Sequence, residues 1–263
     1  MERSIAALRN RLKRGSHATQ STWAHLYFEW NLYRAPHGGL VPFALPEGRG
    51  VYVRAHTSDW STLQDVLIEG WHRPARKLPK APVILDLGSN AGYSMVDYSI
   101  LYPQALIIGI ELDQENFDLA QLNLLGVNSK MLHCAVALHD GVQYYDPRTS
   151  KDAFAIGEDF KAQPNLVAVP GMTVLSVMEY FGLETVDFLK MDIEGAEIEI
   201  LLKGDLAWLN RVSQFNIEIH SWLTHSRVDA DLLVDNCIGR IREFGFEAIR
   251  HDSHWSSIVG FKA

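Results

Sequence analysis

Cysteine is scarce in this chain: Cys134 and Cys237 are the two among 263 residues. They are too few and too far apart for a disulfide framework, and on their own they make no zinc site. Cys134 lies in an apolar run, and both read as reduced packing residues. Long apolar runs are missing as well, since nothing approaches the ~18 to 20 residues that a membrane span requires. The N-terminal "MERSIAALRNRLKRGSHATQ" is basic but lacks the uninterrupted apolar segment and small-residue cleavage site of a secretory signal. The expectation is a soluble, cytoplasmic protein with no stable membrane insertion. Basic charge is short too: 24 Lys and Arg against 32 Asp and Glu give a formal net charge of -8. That sign argues against a general nucleic-acid binder, whose footprint is basic. No internal repeat and no low-complexity segment interrupts the sequence.

What the chain has is apolar content, 47% hydrophobic against 21% charged. This suffices for one large domain or for a domain with an extension. Residues 1–50 differ from the remainder. They carry a short basic amphipathic helix with Ile5, Leu8 and Leu12 on one side, then the aromatic stretch "WAHLYFEW", then "HGGLVPFALPEG". They read as an extension or lid, its helix solvated and packed on its own domain, with adsorption to an anionic membrane surface as the alternative. The aromatics Trp23, Tyr27, Phe28 and Trp30 suit a core or dimer interface better than a ligand pocket. A homodimer is the default expectation for oligomeric state.

From residue 51 to 263 the pattern belongs to a single domain. "VYVRAH" alternates as a strand, and "TSDWSTLQDVLIEG" follows with capping chemistry and helical spacing. A strand-then-helix rhythm begins at "VILDLG" and "NAGYSMVDYSILYP", which Pro103 terminates. It continues through "ALIIGIELD" and a helix with Asp113 as N-cap, Phe117, Ala120 and Leu124 inward, and Gly126 past its end. "KMLHCAVAL" is the third strand. A polar interval of about forty residues, with a helix at "TVLSVMEYFG", precedes "VDFLKMD" and its helix "AEIEILLKG". "QFNIEIH", a long helix through Phe244, "FEAIRH" and "SSIVGF" complete the chain. Apolar strands alternating with helices predict a doubly wound α/β fold around a mostly parallel, seven-stranded sheet.

Ligands in such sheets bind at the carboxyl ends of the strands. At the first, "DLGSNAGYS", Gly88 and Gly92 permit a tight turn and close backbone approach, and the following helix presents its amides. A dinucleotide fingerprint requires G-x-G-x-x-G, and Asn90 and Tyr93 occupy its second and third glycine positions. An NAD(P)-dependent oxidoreductase shares the fold class but fits this broken fingerprint poorly. Asp86 inside the strand suits a ligand with an ammonium group, as S-adenosylmethionine has. Glu111 closes the second strand nineteen residues after Gly92, where a carboxylate can accept hydrogen bonds from both ribose hydroxyls of an adenosine. Ser89 in the turn and Asp59 of "YVRAHTSDW" complete the expected donor-binding set.

The pair "VILDLGSNAGYS" and "IIGIELD" resembles the cofactor site of class I S-adenosylmethionine-dependent methyltransferases. "VDFLKMDIEGAEIEILLKG" resembles the signature of the FkbM family, and "YVRAHTSDW" and "FNIEIH" resemble its flanking segments. The likeness covers roughly residues 50–262 and leaves the first fifty outside it. It implies methyl transfer to a hydroxyl oxygen, commonly on a sugar or a polyketide-type metabolite.

The acceptor side follows from the strand ends. Asp192 ends the fourth strand, which lies beside the first in a sheet of this kind, so its carboxylate is expected to face the meeting point of donor and acceptor. Glu194 joins it, with Gly195 for close approach, whereas Glu199 reads as a solvated helix residue. Lys190 is placed as a structural partner of an acid. An alcohol is a weak nucleophile and needs a base or a metal. His220, at the end of "NIEIH", is the base candidate with Asp192 as rival, and Glu218 lies two residues before His220 on the same side. Asp192, Glu218 and His220, with Glu194, offer ligands that suit Mg²⁺, although no spacing among them is diagnostic. His225, His251 and His254 fall on loops, where substrate contact and solvation fit equally. A D/N-P-P-Y/F motif of adenine-modifying enzymes is absent, "DIEG" standing in its place. A non-catalytic nucleoside-binding protein on the same scaffold is the remaining alternative, and the presence of Asp86, Gly88 and Glu111 counts against it.

Overall fold

The computed structural model describes residues 20–45, 48–148, 165–220, 227–252, 254 and 256–262. The basic helix expected around Ile5, Leu8 and Leu12, most of the polar interval, and "SWLTHS" with His225 lie outside the described residues, as does the side chain of Trp23. The chain divides into two compact units, Met1–Thr57 and Ser58–Ala263. No helix among the described residues is long and apolar enough to cross a membrane.

In the first unit, helix α1 (Gln20–Arg34) precedes the strands β1 (Leu40–Ala44) and β2 (Gly50–Arg54). The strands pair antiparallel, with Val41 opposite Val53. Phe28 packs edge-on against Phe43, their ring centroids 4.8 Å apart, while Tyr27 and Trp30 are 70% and 57% exposed. The strand expected at "VYVRAH" thus pairs with Leu40–Ala44 and not with the large sheet. Both strands lie within the compact unit that ends at Thr57.

The second unit opens with α2 (Asp59–Gln64), which widens into one π turn, Asp65–Glu69. There follow β3 (Val83–Leu87), α3 (Tyr93–Leu101), β4 (Leu106–Glu111), α4 (Gln114–Asn123) and β5 (Ser129–His133). The short strands β6 (Ala135–Val136), β7 (Gly141–Tyr145) and β8 (Val167–Met172) lead to α5 (Val174–Tyr180) and β9 (Val186–Met191). The chain ends through α6 (Ala196–Lys203), β10 (Val212–Glu218), α7 (Arg227–Arg242), β11 (Phe246–Arg250) and β12 (Ser257–Lys262). Seven strands form one sheet in the order β11-β12-β10-β9-β3-β4-β5. From β10 to β5 neighbouring strands run parallel, and β12 lies antiparallel between β10 and β11. This is the doubly wound, Rossmann-like α/β architecture that the alternation of elements predicts.

Burial explains why the central strands are continuous apolar runs. Ile84 and Leu85, Ile107 and Ile108, and Phe188 and Leu189 are all 0% exposed. Successive strand residues point to opposite faces, so both faces are covered. Each such side chain contributes about 1.5–3 kcal/mol relative to exposure. The third predicted strand is the exception. "KMLHCAVAL" breaks after His133: the Cys134 amide donates to the Glu111 carbonyl at 3.0 Å, and β6 then joins a separate sheet in the order β6-β8-β7. Strands β7 and β8 carry a weak local signal, because their alternation is poor and Pro170 interrupts the second. Both cysteines are free and buried, and burial pushes each thiol up to about 12.

One turn ties three strand ends together. The Gly88 and Ser89 amides both donate to the Ile110 carbonyl, at 3.0 and 2.9 Å, and the Asp192 amide donates to Leu87 at 3.0 Å. Gly88 has φ +80°, and a Cβ there would lie 1.8 Å from the Asp192 carbonyl oxygen. Gly126 shares the conformation, φ +79°, but a Cβ on it meets nothing within 4 Å. Gly126→Ala should therefore cost about 1 kcal/mol and Gly88→Ala about 3 kcal/mol or more in urea unfolding. Equal losses would mean that conformation alone, and not close approach, requires glycine at Gly88.

Candidate active site

A cavity of about 450 Å³ opens at the carboxyl ends of β3, β4, β9 and β10. Its size and its place at the strand ends suit a small-molecule site. Gly88, Ser89, Asn90, Glu111 and Asn116 line one end, and Asp192, Glu194, Glu218, His220 and His254 line the other.

At the first end, Glu111 is 5% exposed. The Asn90 amide donates to its Oε2 and the Asp113 amide to its Oε1, each at 2.8 Å. The Asn116 side chain is a third donor to this carboxylate, so Glu111 is fixed in place at the cavity wall. Burial raises its pKa to about 7, against the lowering effect of those two amides. Asn90 reaches its position with φ +49°. Ser89 Oγ donates to the Ile110 carbonyl at 3.2 Å. Asp113 caps α4, accepting from the Asn116 amide at 3.0 Å, so Asp113 and Glu111 divide capping and cavity lining between them.

Three expected donor residues stand behind the cavity. Asp86 is 0% exposed and does not line it. Its carboxylate accepts from Ser94 Oγ and lies 3.4 Å from Lys190 Nζ. Burial raises its pKa, with Lys190 the main opposing influence. Gly92 caps α3 with φ +78°, and a Cβ there would meet the Ala120 side chain at 3.1 Å. Its role is to let α3 and α4 approach. Asp59 is buried at the start of α2, away from the cavity lining.

At the second end, Glu194 and Gly195 both have positive φ, +57° and +107°, which reverses the chain between β9 and α6. The reversal brings Glu194 Oε2 to 3.1 Å and Asp192 Oδ1 to 3.5 Å from His220 Nε2. On the ring's other side, His220 Nδ1 lies 2.7 Å from Glu197 Oε1, which also accepts the His220 amide at 2.8 Å. Glu197 is 0% exposed, and its Oε2 accepts from the Gly195 amide at 2.8 Å. Burial lowers the His220 pKa, but the hydrogen bonds to Glu194 and Glu197 and the surrounding charge win, raising it to about 11. Glu218 does not join this set. It accepts from Ser256 Oγ at 3.2 Å and faces His254 Nε2 at 3.8 Å, and burial followed by the Asp192 charge raises it to about 7. Lys190 is indeed paired with acids, 3.3 Å from Asp192 as well as 3.4 Å from Asp86.

The far wall was not legible beforehand. Trp71 packs against His254, the rings tilted by 41° with centroids 4.1 Å apart, and both line the cavity. The Trp71 loop is anchored through His72 and Arg73 to Asp97 of α3, at 2.9 and 2.7 Å. His251 is not among the lining residues. Glu197 had a readable signal. It shares a helix face with Ile200 and Leu201, both buried, at spacings of three and four.

A left-handed glycine turn after the first strand of a mostly parallel sheet, facing a carboxylate that closes the next strand, defines a Rossmann-like enzyme of the nucleoside-cofactor class. The methyltransferase FkbM domain matches residues 86–248. The chain belongs to that family and is a methyltransferase dependent on S-adenosylmethionine. It is similar to methyltransferase sdnD of Sordaria araneosa, 25% identical over 215 residues that cover 68% of this chain and 79% of that one. Among solved structures, it is similar to a chain of a fibrillarin/Nop5p complex, 15% identical with a TM-score of 0.48, covering 87% of this chain and 99% of that one. It is similar also to TYW2 of M. jannaschii in complex with AdoMet, 11% identical with a TM-score of 0.45, covering 86% of each chain. Likeness at this level carries no information about substrate.

The residues present fit the cofactor: Glu111 offers a fixed carboxylate of the kind that accepts from ribose hydroxyls, and the Gly88 turn presents backbone beside it. With Glu111 near 7 in the free protein, the ionised acceptor form gains population as pH rises. Affinity for S-adenosylhomocysteine should therefore tighten between about pH 6 and about pH 8, and Glu111→Gln should bind about tenfold more weakly with a flatter profile. Titration calorimetry across that range checks both. A profile unchanged in the variant would remove Glu111 from the donor site.

Proposed function

We propose that the enzyme is an O-methyltransferase acting on a hydroxyl of a small molecule, a sugar or a polyketide-type natural product. The observation that carries this reading is the Asp192, Glu194 and His220 cluster on the same cavity as Glu111. When bound, S-adenosylmethionine supplies an electrophilic methyl group on a sulfonium. Glu111 holds the ribose, and the Gly88 to Asn90 turn supports the rest of the donor. Asp192 and Glu194 accept the acceptor's hydroxyl, aligning its oxygen for in-line attack.

Both ring nitrogens of His220 face carboxylates, at 2.7 and 3.1 Å, so both act as hydrogen-bond donors and leave no lone pair for a proton. Asp192 is then the base, and His220 positions the carboxylates. A polyhydroxylated acceptor is favoured by the remaining wall. Glu218 and His254 supply further polar contacts, and the Trp71 ring offers an apolar face of the kind that packs on sugar C–H groups. The net charge of -8 and the acid-rich cavity speak against a nucleic-acid acceptor.

The first test is calorimetry with S-adenosylhomocysteine and NAD⁺, followed by a screen of sugars and hydroxylated polyketides with labelled donor. Binding of the former alone, on the order of micromolar, and a methyl ether product are expected. Asp192→Asn should reduce kcat about 100-fold or more with donor affinity nearly unchanged. An N-methyl product, or equal loss of donor affinity in Asp192→Asn and Glu111→Gln, would overturn the assignment.

A further inference from the structure

We infer that Asp192, Glu194 and His220 form a binding site for a hard divalent cation, Mg²⁺ or Mn²⁺, at the acceptor end of the cavity. Their three ligand atoms lie within 4.8 Å of one another. The two edges that meet at His220 Nε2 measure 3.1 and 3.5 Å. An octahedral ion with bonds of about 2.1 Å places neighbouring ligands about 3.0 Å apart, so these edges are close to bonding geometry. Two carboxylates with one imidazole suit Mn²⁺ or Mg²⁺ better than a softer ion.

The set differs from a patch of solvated acids. His220 is 2% exposed, and its ring orientation is fixed from behind by Glu197, which receives Nδ1 and the His220 amide. A ligating histidine typically has such a carboxylate partner on its other nitrogen. Local charge points the same way. Asp86, Asp192, Glu194, Glu197 and Glu218 gather around the strand ends, with Lys190 shared between Asp86 and Asp192. The cation replaces the proton on Nε2, which leaves to solvent, and its remaining positions are free for water or for the acceptor hydroxyl. A hydroxyl on the ion loses its proton more readily, and monodentate Asp192 keeps a lone pair to take it.

What the ion does rests on the O-methyltransferase reading, but whether it binds does not. The test is Mn²⁺ titration of the chelator-stripped full chain, followed by electron paramagnetic resonance, with and without S-adenosylhomocysteine. One bound ion is expected in the wild-type protein. Glu194→Gln should weaken it about tenfold or more, and Glu199→Gln, exposed on the helix α6 that follows, should leave it unchanged. Mg²⁺ should displace the signal. Wild-type protein that binds S-adenosylhomocysteine yet takes up no Mn²⁺ overturns the cation site and leaves the enzyme reading intact. Mn²⁺ uptake without S-adenosylhomocysteine binding supports the site and undermines that reading. Equal weakening by Glu194→Gln and Glu199→Gln reduces the signal to diffuse acidity and overturns the site.

Discussion

Lys190 joins the two ends of the cavity. Its Nζ donates to the Gly88 carbonyl at 2.7 Å and lies between Asp86 and Asp192. Burial lowers the pKa of the ammonium, and the charges of Asp86 and Asp192 raise it further than burial lowers it, for a net upward shift. One cation therefore neutralises a carboxylate inside β3, fixes the carbonyl of the cofactor-binding turn, and restrains the acid expected to receive the acceptor's proton. Buried charges of this kind tolerate the loss of a partner badly, at about 3–5 kcal/mol, because the orphaned charge has no water to return to. The glycine at Gly88 belongs to the same constraint: only without a Cβ can the turn come near enough to the Asp192 carbonyl for the lysine to bridge them.

Glu197 is a second anchor, set behind the first. It spends one oxygen on the Gly195 amide and the other on both the amide and ring of His220. The sharp reversal at Glu194 and Gly195 and the imidazole at the end of β10 are thereby held by a single fully buried side chain. Strand β9 lies between β3 and β10 in the sheet, so the lysine anchor and the glutamate anchor grip neighbouring strand ends from opposite sides. The Asp192 carboxylate, between Lys190 and His220, has contacts with both.

Much of this was visible in the sequence, and the boundary of what was visible has physical causes. Central strands such as "VILDLG" and "VDFLKMD" are read easily because burial on both faces demands unbroken apolar residues. Glu111 and Asp113 separate cleanly because a helix needs one cap. Asp86 marks where local spacing stops being informative. An acid inside an apolar strand suggests a ligand, but its partner, Lys190, lies more than a hundred residues away, and pairing across β3 and β9 is not encoded in local spacing. Of the four side chains that the sequence offers as ligands, Asp192, Glu194 and His220 cluster most tightly; period-2 alternation put Glu218 on the side of His220, whereas the left-handed backbone at Glu194 has no periodic signature. Trp71 was invisible as a cavity residue, since its loop gains its position only from the remote Asp97.

The balance of charge at the acceptor end connects these pieces to catalysis. Transfer from a sulfonium to an alkoxide destroys a positive and a negative charge together, so only groups that match the partly neutralised transition state accelerate it. A floor of bare carboxylates would favour the full sulfonium charge over the transition state and repel the oxygen as it becomes anionic. In the proposed transfer to a hydroxyl, Asp192 must nevertheless be basic enough to take a proton. The counter-charge beside it resolves the conflict: Lys190 on one side and the His220 position on the other reduce the field of Asp192, Glu194 and Glu197 without removing their lone pairs. The proposed divalent cation in place of the His220 proton would strengthen that compensation, and would give the acids around the strand ends a common task beyond helix solvation.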